Sequence, residues 1–326
     1  MTFIVAFCLS FSIVAKKACA SGTIRVLILN EANPKMPAKN EKLEKIGSME
    51  GSLLVMGSQY SGDIGIWRGE GGLYVVNELP LEEYVKDVVA AEIGQDWDME
   101  AIKAQAVITR TYAVYRMMKN ADPVYQIASS VINQVYRGSS PDMRIAYAVS
   151  QTNGEILTFE GKPIDAFYHS TCGGKTEDPE EVFGKSYPYL KSVESPCELS
   201  PYCSWERKIP IGEIETGLNI RGIREISTRS HTSTGRVRQL TIRTRSRSIA
   251  VNATDLRKAL GWNRLPSTKF TLSREGGSFV FRGSGYGHGV GLCQWGALQM
   301  AIEGKTYREI LSFYYPGTTI QLYENR

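Results

Sequence analysis

Glu92 is the first residue whose type and position suggest chemistry. In LPLEEYVKDVVAAEIG, Leu81, Val85 and Val88 recur at helical spacing and mark one apolar face. The next position on that stripe is Glu92. A carboxylate therefore stands where a core residue belongs, just before Gly94, a helix-stop residue. Burial disfavours its charged form, and so does the partial negative charge at a helix C-terminus. A carboxyl held protonated near neutral pH is what a general acid needs. The same position also suits a structural carboxylate paired with a cation. Lys103 and Arg110, on the helical stretch that follows, are ready partners.

Two later stretches could face a ligand. Pro163–Tyr168 reads as a strand that delivers Tyr168, His169, Ser170 and Thr171 into a Gly173-Gly174 turn. A hydrogen-bonded turn explains the same residues without a ligand. Further on, alternating glycines in GSGYGHGVG, Gly283–Gly291, let backbone approach something closely. Gln294 and Trp295 follow at the start of a helix, whose free amides suit an oxygen-rich group. Phosphate binding is the obvious alternative, but the spacing is not that of a P-loop and no Lys-Ser/Thr follows. Cys172 or Cys293 with His169 or His288 would be a nucleophile and base if within hydrogen-bond reach. In an oxidising compartment cysteines are more often bridged, and Cys197 with Cys203 is the local disulfide candidate. Cys172, Cys197, Cys203 and Cys293 allow three complete pairings, between which the sequence does not choose. Zinc on Cys172, Cys197, Cys203 and a histidine competes, but the spacing is not that of C-x-x-C knuckles. No metal site is expected.

The elements that must hold these residues follow from local pattern. Leu79–Lys119 reads as two helices joined by an elbow, the second capped by Asp96 or Asp98. Ile24–Asn30 reads as a first strand and Glu31–Met49 as a loop or exposed excursion. Gly51–Asn77 reads as a small antiparallel sheet with glycine turns. Ser140-Pro141 is a helix start, with Ile145, Ala148, Val149 and Thr152 as the buried face. Glu155–Phe159 is a strand that turns at Glu160-Gly161. Glu177–Arg207 is irregular. A helix over Ile209–Asn219, strands over Gly222–Ile249, a short helix at Asn252–Leu260 and a strand pair over Phe270–Arg282 complete the middle. Thr306-x-x-Glu309 is a capping box for the last helix.

Four ordered stretches resemble the SpoIID/LytB family, stage II sporulation protein D and amidase enhancers. They are LPLEEYVKDVVAAEI…EAIKAQAVITRTYA, PIDAFYHSTCGGKTE, GRVRQLTI…LRKALG and GYGHGVGLCQWGALQMA, and they span nearly all of the chain after its leader. The resemblance implies a lytic transglycosylase acting on peptidoglycan glycan strands, or an activator of a cell-wall amidase. It places the family's catalytic glutamate on Glu92. It implies that Tyr168, His169, Ser170, His288, Gln294 and Trp295 contact the sugar and that Arg110 orients Glu92 or touches substrate. Relatives often carry a His/Cys motif ahead of QVY; here IASSVINQVYRG has neither residue.

The expected fold is α+β, helices mixed with antiparallel sheets, in one lobe or two around a cleft formed by the Glu92 elbow, the Tyr168 turn and the glycine loop. The chain has 326 residues, 42% apolar and 22% charged, which is ordinary for a globular protein. Its formal net charge is only +4. Arginines crowd Arg221–Arg247, a local basic face that could meet an anionic polymer; a solvated strand face is the simpler reading. The aromatic interleaving of a nucleic-acid binder is absent. Thr2–Ala15 is apolar, and Ala18-Cys19-Ala20 resembles a signal cleavage site, so residues 1–20 read as a secretory leader and 21–326 as the working domain. No Lys or Arg precedes the apolar run, which leaves an uncleaved anchor as the competing reading. Export to the periplasm or cell wall follows as an expectation, with glycan strands and an amidase as partners, no organic cofactor, and membrane contact only through an uncleaved leader.

Overall fold

The computed structural model describes residues 22–28, 36–38, 41–55, 57–94, 96–120, 122, 124–130 and 134–324. The proposed leader lies outside them. The chain opens with β1 (Thr23–Ile28), β2 (Glu44–Glu50), β3 (Leu53–Val55), β4 (Ser58–Tyr60), β5 (Asp63–Gly69) and β6 (Gly72–Pro80). The expectation of a loop through Met49 is corrected by β2. Nearly every residue of β2 is exposed and it pairs only with β5, so it carries no alternation of apolar and polar residues to read.

Strand β6 runs straight into α1 (Leu81–Glu92). Leu81, Val85 and Val88 are fully buried, as their spacing requires, and each such side chain contributes about 1.5–3 kcal/mol. The helix ends at Glu92, because Ile93 takes an extended conformation. Asp98 then caps α2 (Met99–Lys119) by accepting the Glu100 amide at 2.9 Å. Unlike α1, α2 is buried on every side from Ala101 to Val114. Its alanines and threonines let α1, α3 (Met143–Gln151), α7 (Gln294–Ile302) and α8 (Tyr307–Tyr314) approach it closely. Before α3, β7 (Ile127–Ala128) adds a parallel edge to β1, completing a sheet of order β2-β5-β6-β1-β7.

The start of α3 differs from the sequence expectation. Asp142, not Ser140, is the cap, and its carboxylate accepts the amides of both Arg144 and Ile145. Ser140 sits two residues earlier, where its hydroxyl receives the Asp142 amide and its own amide goes to Asp87. After α3, β8 (Glu155–Phe159) turns through Glu160 and Gly161, both at positive φ, into β9 (Lys162–Pro163). The expected strand through Tyr168 is broken. β10 is only Tyr168–His169, and it pairs in parallel with β17 (Leu292–Cys293). The irregular stretch that follows holds a short helix, α4 (Pro179–Phe183).

Residues 205–283 build a second apolar core. β11 (Trp205–Pro210), α5 (Ile211–Leu218), β12 (Ile223–His231), β13 (Val237–Thr244), β14 (Ser248–Asn252), α6 (Ala253–Leu260), β15 (Phe270–Glu275) and β16 (Ser278–Gly283) surround Ile209, Ile214, Leu240, Leu256 and Phe281. The first core, around α1 and α2, includes none of these residues. After the glycine loop the chain returns to the first core through β17, α7 and α8, where the Thr306–Glu309 capping box forms as expected. A final strand, β18 (Thr319–Leu322), pairs with β8.

Candidate active site

Glu92 projects from the last turn of α1 into a cluster assembled from four distant segments. Its Oε1 accepts the Val135 amide at 2.8 Å and the Tyr168 hydroxyl at 3.0 Å. The Gln294 side chain also hydrogen-bonds to it, and Arg137 lies near enough to act on its charge. Burial dominates nonetheless and raises the carboxyl above its ordinary range; the donors from Val135, Tyr168 and Gln294 offset part of that rise. No ion pair to Glu92 forms among the described residues. Neither cation expected beside it is there. Lys103 pairs with Glu100 at 2.7 Å. Arg110 is wholly buried and grips Glu82 with two nitrogens, at 2.7 and 2.6 Å, while donating to the Glu155 carbonyl. The expectation that Arg110 orients Glu92 or meets substrate is corrected: its fork is spent on α1's first turn.

Tyr168 and Gln294 are brought to Glu92 by one device. Tyr168↔Leu292 and His169↔Cys293 pair in register, so the strand carrying Tyr168 and the segment leading into Gln294 lie side by side. The Trp295 amide donates to the Ser170 carbonyl at 3.1 Å, which places Ser170 as a backbone tie rather than a hydroxyl aimed at Glu92. Gln294 is steadied from behind by Gln105 of α2. Trp295 meets Trp97, with ring centroids 5.1 Å apart, so two half-buried indoles stand beside the elbow. Trp97, Gln105, Gln134 and the Val135 amide are the parts that sequence reasoning missed. Gln134 bonds the Tyr84 hydroxyl at 2.9 Å and belongs to the QVY noted in sequence, the only signal available for it.

The two histidines go elsewhere. His169 Nδ1 bonds the Val290 carbonyl at 3.1 Å, and His288 Nδ1 accepts the Val290 amide at 3.0 Å. Burial holds both in the neutral form, His288 down at about 3. They bracket Val290 and so hold the glycine loop against the strand. The loop's close approach is to the protein itself. A Cβ at Gly291 would fall 1.9 Å from the Phe167 carbonyl, and one at Gly287 would fall 2.8 Å from His169 Cβ. Amides at the start of α7 are already taken, Gly296 N by Cys293 Sγ and Trp295 N by Ser170, which removes the phosphate reading.

The four thiols are free. Cys172 and Cys293 are fully buried, Cys172 is pushed up to about 12, and no histidine nitrogen bonds either sulfur. A cysteine hydrolase therefore lacks both access and base. Cys197 lies beside Cys172 and Cys203, so the candidate pair Cys197–Cys203 is adjacent though unbonded.

Several contacts join the first core to the second, among them a buried arginine. Arg236, buried just before β13, donates to the Cys172 carbonyl at 2.8 Å and faces Glu177 at 3.8 Å. A Cβ at Gly289 would sit 2.5 Å from its Nη2, so glycine there makes room for the guanidinium.

The profile for stage II sporulation protein matches residues 69–159, from the β5–β6 turn through Glu92 to β8. The stage II sporulation protein D of Bacillus subtilis is 34% identical over 270 residues, 75% of each chain. The chain belongs to the SpoIID family. An uncharacterized protein of Brachyspira hyodysenteriae is 35% identical over 271 residues, 81% of this chain and 73% of that one. The amidase enhancer of Bacillus subtilis is 28% identical over 292 residues, which is 73% of this SpoIID-family chain but 40% of the enhancer. A separate profile, a domain of unknown function (DUF8618), matches residues 205–291, which hold the second core and the glycine loop.

Proposed function

We propose that the protein acts on the bacterial cell wall as a peptidoglycan lytic transglycosylase, with Glu92 as its single acid and base. The observation that carries this reading is a half-buried carboxyl, raised by burial, hydrogen-bonded by Val135, Tyr168 and Gln294, and in no ion pair among the described residues. Such a group holds a proton to higher pH than an ordinary glutamate. It would donate that proton to the glycosidic oxygen as the bond to C1 breaks. The resulting carboxylate would then take the proton from the sugar's own C6 hydroxyl, whose oxygen closes on C1 as a 1,6-anhydro ring. No water enters, so no second carboxylate is required.

The neighbours have roles in this scheme. Tyr168 and Gln294 hold the carboxyl in one orientation and stabilise it once deprotonated. Trp97 and Trp295 offer ring faces on which the apolar face of a sugar stacks. His169 and His288 act one step removed, by fixing the loop that carries Gln294. The glycan substrate implies that the protein works outside the cytoplasm, in keeping with the leader-like residues 1–20.

The test is mass spectrometry of peptide-free and peptide-bearing glycan strands incubated with the protein and with Glu92→Gln. New 1,6-anhydro ends, absent with the variant, support the proposal. Reducing ends would replace it with hydrolysis. Binding without cleavage, with an added amidase made faster, would replace it with the activator role that the enhancer's name suggests.

A further inference from the structure

The charge of the molecule is unevenly placed. Residues 205–291 hold 16 Lys and Arg against 6 Asp and Glu. The whole chain holds 38 against 34, so the remainder is net acidic. The modest overall charge thus hides a strongly basic unit joined to an acidic one.

Within the basic unit the arginines gather at one end. The β12–β13 hairpin docks on the first core by its turn. There Thr232 and Thr234 donate to Glu177, Arg236 reaches the Cys172 carbonyl, and Arg238 meets Glu181. β13 then runs outward for eight residues, about 24 Å at strand rise. Its far end pairs Ile223 with Thr244 and Arg243 with Ser248. Arg221, Arg224, Arg243, Arg245, Arg247 and Arg274 come together here. A Cβ at Gly222 would lie 3.8 Å from Arg245 Cγ, and Arg274 donates to the Arg224 carbonyl. All six are exposed. Only Arg243 has an ion pair among the described residues, with Glu225 at 3.1 Å.

Six like charges held together repel one another, and they gain most when an anion spreads between them. Every one is arginine, whose planar fork suits phosphate and carboxylate groups in pairs. The strand face beside them presents Ser227, Thr241 and Ala250, which are small. No large apolar side chain within residues 205–291 is exposed. That leaves nothing to insert into a bilayer and no aromatic shelf for unpaired bases.

We propose that the distal end of the β12–β14 sheet binds a linear anionic polymer of the cell envelope, one whose repeating phosphodiester or carboxylate groups bridge the six arginines. The site is separate from Glu92 and independent of what Glu92 does. It would hold the protein on a polyanionic matrix while the acidic half, with Glu92, remains unattached to it.

The experiment measures binding of the protein to poly(glycerol phosphate) and to polygalacturonate, each from low to physiological salt. The triple variant Arg221→Ser/Arg245→Ser/Arg247→Ser is compared, with its melting temperature as a check on folding. Saturable binding to either polymer, weakening linearly on a log–log salt plot and at least about tenfold weaker with a shallower slope in the triple variant, supports the proposal. Which polymer binds tells phosphate from carboxylate. Glu92→Gln should bind as the wild type does, so loss of cleavage cannot imitate loss of this site. No saturable binding at low salt, equal binding by the folded triple variant, or binding to anionic lipid vesicles or duplex DNA but to neither polymer would each overturn it.

Discussion

Glu82 and Glu92 lie near the two ends of α1 and face opposite surroundings. Glu82 meets a fully buried arginine that holds both its oxygens. Glu92 accepts from an amide, a hydroxyl and a carboxamide, with the Arg137 charge nearby but in no ion pair with it among the described residues. The first arrangement is a paired ion contact that fixes α1 against α2. The second tolerates a proton coming and going. In the proposed function, the acid Glu92 differs from Glu82 less by its place on α1 than by the ion pair that Arg110 makes with Glu82 alone. Arg110 serves Glu82, which leaves Glu92 free to be raised by burial.

The comparison can be broken at either end. Glu92→Gln should lower glycan cleavage by about 100- to 10,000-fold, the range expected for loss of general acid–base catalysis. It should leave the fold intact. A carboxyl raised in the folded state costs stability as pH climbs from its unfolded value through its folded one, so the variant should be at least as stable as wild type at neutral pH, by urea denaturation. Arg110→Met should do the reverse. Leaving Glu82 without its buried partner costs about 3–5 kcal/mol in the same assay, and activity should fall only as folded protein is lost. If Arg110→Met instead abolished activity in folded protein, the separation drawn between the two glutamates would be wrong.

Smaller changes sharpen it. Gly291→Ala forces a Cβ against the Phe167 carbonyl at positive φ and should cost about 1–3 kcal/mol while pulling Gln294 out of place. Both melting temperature and cleavage should drop. Tyr168→Phe removes a donor that favours the ionised carboxylate. The pH at which cleavage falls off on the alkaline side should move up, with a rate change of a few-fold, read from a pH–rate profile. An unmoved or lowered limb would mean that another group titrates there. Lys103→Met removes a half-buried pair with Glu100 and a cation lying over the Tyr307 ring. It should change stability by no more than about 0.5 kcal/mol and leave the pH profile unaltered, since Lys103 does not reach Glu92.

Much of this was legible in the residues. The stripe Leu81–Val85–Val88 placed Glu92 on the inner face of α1, and Asp98 and Thr306 announced their caps. Gly161 marked the turn after β8. Three things were not legible. β2 is almost wholly exposed, so it lacks the alternation that reveals a strand. The cap of α3 lies at Asp142 instead of Ser140: Asp142 Oδ1 takes the amides of Arg144 and Ile145, while the Ser140 hydroxyl takes the Asp142 amide. Arg110 was an equal candidate for Glu82 and Glu92 until α2 was set against α1 and β8.

What the sequence determined by itself is the order of the long helices, the inward position of Glu92, and an arginine-rich stretch at 221–247. Each depends on period, cap or composition within a short window. Only the tertiary structure decided that Tyr168, Val135 and Gln294 converge on Glu92, that His169 and His288 brace a loop instead, and that the arginines gather at the end of a sheet away from the docked hairpin turn. Those outcomes depend on strand pairing between residues more than a hundred positions apart, as with Tyr168 and Leu292. No local propensity encodes which of several possible partners such a residue will meet.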